Sequence, residues 1–136
     1  MRWNREWLQV SQILPGLRYT KDHEYVRIEG KVAKIGLTDH AQNELTEIVF
    51  VELPSVGKEI GVGEVVANVE SVKTVSEVFA PVSGVVKEAN DRLVDSPELL
   101  NTDPYGEGWI ASIEVSDISN FESLMSADDY RKLLGE

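Results

Sequence analysis

Short apolar runs broken by turn residues fill the chain from Tyr19 to Ala111. Val26 and Ile28 alternate with Tyr25, Arg27 and Glu29, and the run stops at Glu29-Gly30. Alternation of this kind predicts a strand with one covered face. The same reading places strands over Val32 to Leu37, Ile48 to Val51, Val65 to Val69 and Val75 to Phe79. A further strand begins at Val85-Val86, and another covers Trp109 to Val115. Pro54, Gly57, Gly61, Gly63, Pro81 and Gly84 punctuate them. Short strands at this spacing predict a mainly β sandwich or barrel.

Three helical pieces interrupt the strands. Thr38 is expected to cap Asp39 to Leu45, its hydroxyl taking an otherwise unpaired backbone N–H. Ser96-Pro97 is expected to start Glu98 to Leu100. Ser126 is expected to cap Ala127 to Leu134, with Asp128 and Asp129 at the positive end and Gly135 as the stop. Tyr130, Leu133 and Leu134 form the stripe that this C-terminal helix turns to the core. Ahead of the strands, Trp3, Trp7, Val10 and Leu14 fall on one helical stripe that Pro15-Gly16 ends. The boundaries expected are an N-terminal extension over 1–16 and one domain over 17–136. The extension reads as a short helix packed on the domain or as an extension without function, in preference to a partner-binding helix, and Glu6 and the lack of a long apolar core make it a poor targeting segment. A weak repeat is also visible: Val32-Ala33-Lys34 with Thr38 and Leu45 echoes Val85-Val86-Lys87 with Asp91 and Leu99.

Composition narrows the chemistry. A chain of 136 residues suits one domain. Its 13 Lys+Arg against 24 Asp+Glu give a formal net charge of −11, which repels nucleic acid and anionic membrane surfaces. No apolar run approaches the ~20 residues of a membrane span. There is no Cys, hence no thiol nucleophile, disulfide or thiolate metal site. His23 and His40, the only two His, read as structural rather than metal-binding or catalytic groups. No catalytic residue and no metal ligand is assigned. Any redox or acyl chemistry has to be imported.

The stretch Glu64 to Pro81 holds the candidate for that import. Folded about Val72-Lys73, it is a hairpin in which Val65, Ala67 and Val69 share a face with Ser76, Val78 and Ala80. The opposite face carries Asn68, Glu70 and Glu77 among Val66, Val75 and Phe79. A Val-Lys tip lacks the Gly or Asn that two-residue hairpin turns usually require. Lys73 is the only basic residue between Glu59 and Val86. Its amine can be acylated, which removes the charge and adds an arm. On spacing alone, a solvated Lys that guards a strand edge is the commoner reading.

Several spread motifs shift that balance. They are Tyr19-Thr20-Lys21-Asp22-His23-Glu24-Tyr25-Val26, Gly36-Leu37-Thr38-Asp39-His40-Ala41-Gln42 and Val49-Phe50-Val51-Glu52-Leu53-Pro54, then Val69-Glu70-Ser71-Val72-Lys73, Ala80-Pro81-Val82-Ser83-Gly84 and Asn101-Thr102-Asp103-Pro104-Tyr105-Gly106-Glu107-Gly108-Trp109-Ile110. With these the chain resembles the H-protein family of the glycine cleavage system, in the lipoyl/biotinyl carrier class, over roughly Tyr19 to Leu134. A biotin carrier would be expected to show Met on both sides of the lysine, where Val72 and Thr74 stand. Two positions depart from the family pattern. Tyr25 stands where Trp is commoner, and Thr46-Glu47 where Gly-Asp is commoner; both are expected to lie clear of the modified lysine.

The resemblance implies a barrel-sandwich hybrid of lipoyl-carrier type with short helices and a C-terminal helix. It implies a non-enzymatic, monomeric carrier whose Lys73 becomes N6-lipoyllysine with lipoate as its covalent cofactor. The lack of a targeting signature points to a cytoplasmic location, a mitochondrial mature form being the alternative. It implies Glu70 as the recognition handle for a lipoate ligase or transferase, a solvated hairpin charge being the plain alternative. The implied partners are glycine decarboxylase, aminomethyltransferase and dihydrolipoamide dehydrogenase, among which the aminomethyl group of glycine is shuttled. The alternative function is a lipoate carrier of the same fold in sulfur oxidation or lipoyl relay. Acidic Glu residues and the segment around His40 are expected to border a cleft that shields the carried group from water.

Overall fold

The computed structural model describes residues 11–135. Trp3, Trp7 and Val10 of the N-terminal stripe therefore lie outside the described residues. Nine strands form two antiparallel sheets among the described residues. The larger contains β1 (Arg18–Tyr19), β2 (Glu24–Glu29), β3 (Val32–Leu37), β5 (Glu59–Ile60), β8 (Gly84–Ala89) and β9 (Ala111–Val115), ordered β1-β2-β3-β9-β8-β5. The smaller contains β4 (Ile48–Glu52), β6 (Val65–Ser71) and β7 (Val75–Phe79), ordered β4-β6-β7. The fold is mostly β, as expected, and the sheets stay separate rather than closing into a barrel. One hydrophobic cluster joins them: Val26, Ile35 and Ile113 from the larger sheet with Val51, Val69 and Val78 from the smaller. Each such side chain contributes about 1.5–3 kcal/mol when buried.

β7 alternates as the hairpin reading predicts. β2 does not keep one covered face: Val26 is buried in the main core, while neighbouring Tyr25 is buried on the other side in a second, tyrosine-rich cluster. β3 alternates as far as Ile35, after which Gly36 and Leu37 are both buried. The two-residue strands β1 and β5 have too few residues to show a period. β9 starts at Ala111, two residues later than expected. Among the described residues, five short helices punctuate the sheets: α1 (Asp39–Leu45), α2 (Arg92–Asp95), α3 (Leu99–Thr102), α4 (Ser119–Glu122) and α5 (Ala127–Leu133). Thr38 caps α1 by accepting from Ala41 N, and Ser126 caps α5 in a reciprocal box with Asp129. Gly135 follows α5 at φ +83°, a conformation open to glycine.

Several expectations need correcting. Ser96 is the C-cap of α2, not the N-cap of the next helix; α3 starts at Leu99 behind Glu98, without a side-chain cap. On α5 only Tyr130 is fully buried; Leu134, the C-cap, packs against the Tyr130 cluster, while its neighbour Leu133, about 100° round the helix, is half exposed. The weak repeat survives as strand then helix, with β3 and β8 flanking β9, but Asp91 makes no capping bond. Most consequential, β6 and β7 slip register between Val65 and Ala67. That bulge turns both Val66 and Ala67 inward and leaves Val65 exposed, reversing the faces expected for Val65 and Val66.

The two family departures have different costs. Tyr25 is fully buried, and its ring lies where a Cβ on the paired Gly36 would approach to 2.7 Å. Thr46, the C-cap of α1, sits at φ 64°, ψ −142°, a region that glycine alone occupies without strain. Thr46→Gly is therefore expected to stabilise the fold by about 1 kcal/mol, strain relief outweighing the extra chain entropy of glycine. Urea unfolding checks this: the midpoint rises with an unchanged slope. A lowered midpoint would show that Thr46 is not strained.

Candidate functional site

Lys73 lies at the tip of the β6–β7 hairpin. The ladder pairs Val69 with Ser76 and Glu70 with Val75, and Ser71 N donates to Thr74 O at 2.8 Å. Folding about Val72-Lys73 is thus as expected at this end. Neither tip residue has positive φ, so the turn is not one of the primed types and needs no glycine. The Ser71 hydroxyl holds it instead, accepting from Lys73 N at 3.3 Å and from Thr74 N at 3.1 Å. Side-chain closure of this kind is what serine offers a turn.

A second brace comes from outside the hairpin. Val72 N donates to Glu47 O at 3.0 Å. Glu47 follows Thr46, so the segment expected to lie clear of the lysine instead holds the residue next to it. Asn101 fixes that segment: its Nδ2 donates to Thr46 O at 2.7 Å and to Gln42 Oε1 at 3.0 Å, and its Oδ1 accepts from Ile48 N. The base of the hairpin is tied by Glu24, which is buried. Its Oε2 accepts from Phe79 N at 2.9 Å and its Oε1 from the Thr20 hydroxyl at 2.7 Å. Burial pushes the Glu24 carboxyl above its ordinary range despite both bonds. Glu24 and Glu47 carried no individual sequence signal, since each acts through a backbone group distant in the chain.

With its backbone held at both ends, Lys73 is exposed, and among the described residues its Nζ has no hydrogen-bond or ion-pair partner. The amine is accessible. Glu70 is exposed too, two residues before the tip begins. It lies between Phe50 of β4 and Val75 of β7 in the cross-strand register.

A groove of about 390 Å³ opens at the hairpin base, lined by Phe79, Ala80, Tyr19 and Met125 with the acids Asp22 and Glu24. His40 is not in its lining. Its ring packs on His23, centroids 4.5 Å apart, and its Nε2 lies 3.6 Å from Glu44. His23 Nδ1 is 2.8 Å from the Tyr130 hydroxyl, which also meets Thr38 Oγ1 at 2.8 Å, and Tyr130 stacks on Tyr19. Both rings are thus engaged by neighbouring side chains. Among the described residues no group of three or more His, Asp or Glu is placed to hold a metal ion.

An exposed lysine on a braced hairpin, carried by paired antiparallel sheets, is the architecture of a carrier domain of the lipoyl/biotinyl class. The comparisons narrow the class. The family model "Glycine cleavage H-protein" matches residues 17–136. The chain is 55% identical over 126 residues to the glycine cleavage system H protein of Coprothermobacter proteolyticus, covering 92% of this chain and 99% of that one. It is 52% identical over 120 residues to the protein of the same name from Staphylococcus haemolyticus, covering 88% and 95%. The crystal structure of the Mycobacterium marinum glycine cleavage system H protein superposes with a TM-score of 0.82 at 38% identity, covering 90% of this chain and all of that one. The chain belongs to the glycine cleavage H-protein family. Its role is that of a carrier in glycine cleavage, and the sulfur-oxidation or relay alternative is not favoured.

The His23 position predicts a pH dependence. Burial, then the His40 ring beside it, pushes the His23 imidazole below its ordinary 6.5. A depressed pKa means that the unfolded chain binds the proton more readily, so this contribution is complete above about pH 6.5 and lost as pH falls. Glu24 acts with the opposite sign, its raised pKa costing stability as pH rises above its ordinary 4.5. His23→Asn, which tolerates the positive φ of 70° at this site, is therefore expected to lose less stability than the native chain between about pH 7.5 and about pH 5. Urea midpoints at the two pH values measure it; equal losses would contradict the assignment.

Proposed function

We propose that Lys73 Nζ is the attachment point of lipoate and that this chain is the non-enzymatic shuttle of glycine cleavage. The observation that carries the reading is an exposed amine, unpartnered among the described residues, on a hairpin tip fixed by Ser71 and Glu47. A lipoyl acid fits this position because nothing described competes for the amine. For acylation, the Lys73 ammonium gives up one proton and its nitrogen attacks the carbonyl carbon of an activated lipoyl donor. The bond to the donor's leaving group breaks with its electron pair, and a second proton leaves as the amide forms. When bound, the lipoyl group supplies the reversible disulfide that a chain without Cys lacks.

The chain's own residues do the rest. Ser71, Glu47 and the buried Val69 and Val78 keep the pedestal stiff, so that only the arm moves. Tethering then raises the arm's effective concentration at each active site it visits. The partners are glycine decarboxylase, which loads the aminomethyl group, aminomethyltransferase, which removes it, and dihydrolipoamide dehydrogenase, which restores the disulfide. A lipoate ligase or transferase installs the arm, with Glu70 as its handle. The carrier works as a cytoplasmic monomer over residues 17–136, with 1–16 as an extension. The acid-bordered groove at the hairpin base, with Asp22 and Glu24, is where the carried group is kept from water.

Two outcomes test this. Incubation with a lipoate ligase, ATP and lipoate is expected to add one lipoyl mass to the native chain and none to Lys73→Arg, which also loses glycine-dependent bicarbonate exchange in the reconstituted system. A mass gain that persists in Lys73→Arg would overturn the assignment. The charge of −11, which becomes −12 (−11 minus 1) on amidation, predicts that affinity for the decarboxylase falls as ionic strength rises. A flat salt titration would show that the acidic surface does not steer docking.

A further inference from the structure

The outward face of the small sheet is not uniformly polar. Cross-strand register aligns Phe50, Glu70 and Val75 in one row, and Glu52, Asn68 and Glu77 in the next. The second row is what a solvated face should carry, with Asn68 Nδ2 donating to Glu52 Oε1 at 2.9 Å. The first row is apolar on both sides of Glu70: Phe50 is 52% exposed and Val75 62%. A β4 bulge between Ile48 and Phe50 extends the apolar surface, turning Val49 out at 44% exposure beside Phe50. Val72, at the tip, is 64% exposed. Four large apolar side chains are therefore clustered around Glu70 and Lys73, in the part of the sheet where solvation would favour polar residues.

The length of a lysine decides what covers them. Five bonds of about 1.5 Å bring Nζ only about 6 Å from the backbone. An enzyme that forms a bond at Nζ must close over the tip and the surface beside it. Enzymes acting at the far end of an attached arm have no such need. The acids Glu70, Glu52 and Glu77 interleave and border the apolar row, which calls for a basic partner surface. We propose that Phe50 and Val75, flanking Glu70 on the outer face of β4-β6-β7, are the apolar anchors on which the enzyme that acylates Lys73 docks. This rests on the reading of Lys73 as the acylated residue.

The test uses the full chain, a purified lipoate ligase, ATP and lipoate, with intact mass followed over time. The double variant Phe50→Ala/Val75→Ala is expected to lose at least about 10-fold in kcat/KM for acylation, chiefly through KM. Val56→Ala, equally exposed but beyond the far end of β4, should leave it unchanged. Urea midpoints establish that the variants remain folded. Once driven to full lipoylation with excess ligase, the double variant should be turned over by dihydrolipoamide dehydrogenase at the native rate. Native acylation kinetics in the double variant would overturn the docking surface while leaving Lys73 as the site. An equal loss with the dehydrogenase would overturn its assignment to the acylating enzyme. Acylation that survives Lys73→Arg would overturn the underlying reading itself.

Discussion

A carrier lysine must satisfy two opposed demands: its amine has to stand free in water while its backbone stays fixed. This chain meets both through one small set of hydrogen bonds at the tip of β6–β7. The Ser71 hydroxyl accepts the Lys73 and Thr74 amides, and the Glu47 carbonyl accepts the Val72 amide. Neither contact uses the lysine side chain. Behind the tip, Val69 and Val78 are fully buried in the cluster that joins the two sheets. Cross-strand packing therefore anchors the hairpin, and the Glu47 brace stops the turn from fraying.

The brace reaches well beyond the hairpin. Asn101, on α3, holds the Thr46–Ile48 segment through two hydrogen bonds and Gln42 of α1 through a third, and the cap Thr38 starts the helix that delivers the segment. Thr38 also meets Tyr130 of α5, which stacks on Tyr19 and bonds His23. A polar chain thus runs from the C-terminal helix through α1 to the lysine tip. It makes the strained Thr46 tolerable, since the surrounding bonds over-determine its backbone.

Much of this was legible in the sequence, for reasons that particular residues make plain. Val75–Phe79 could be read because its covered and exposed side chains alternate as its pairing requires, whereas the burial of Tyr25 could not, because a second cluster covers the other face of its strand. Thr38 and Ser126 could be read as caps because their acceptors bond within their own helix. The lysine tip was found by its place between two strand patterns, and the motifs around it pointed to the family. What stayed hidden depends on register or on distant backbone. The bulges at Val65/Ala67 and Ile48/Phe50 invert faces without altering composition. The Glu47 and Glu24 contacts join residues 25 and 55 positions apart through single carbonyl or amide groups. Ser96 misled because a cap residue followed by proline suits the end of one short helix as well as the start of another.

The carrier lysine needs a rigid pedestal beneath its side chain, and backbone 15N relaxation measures that rigidity directly. Amide order parameters for Val72, Lys73 and Thr74 should match those of the buried Val69 and Val78, at about 0.85. Values below about 0.6 confined to the tip would mean that the backbone itself swings, and the division between fixed scaffold and moving arm would fall.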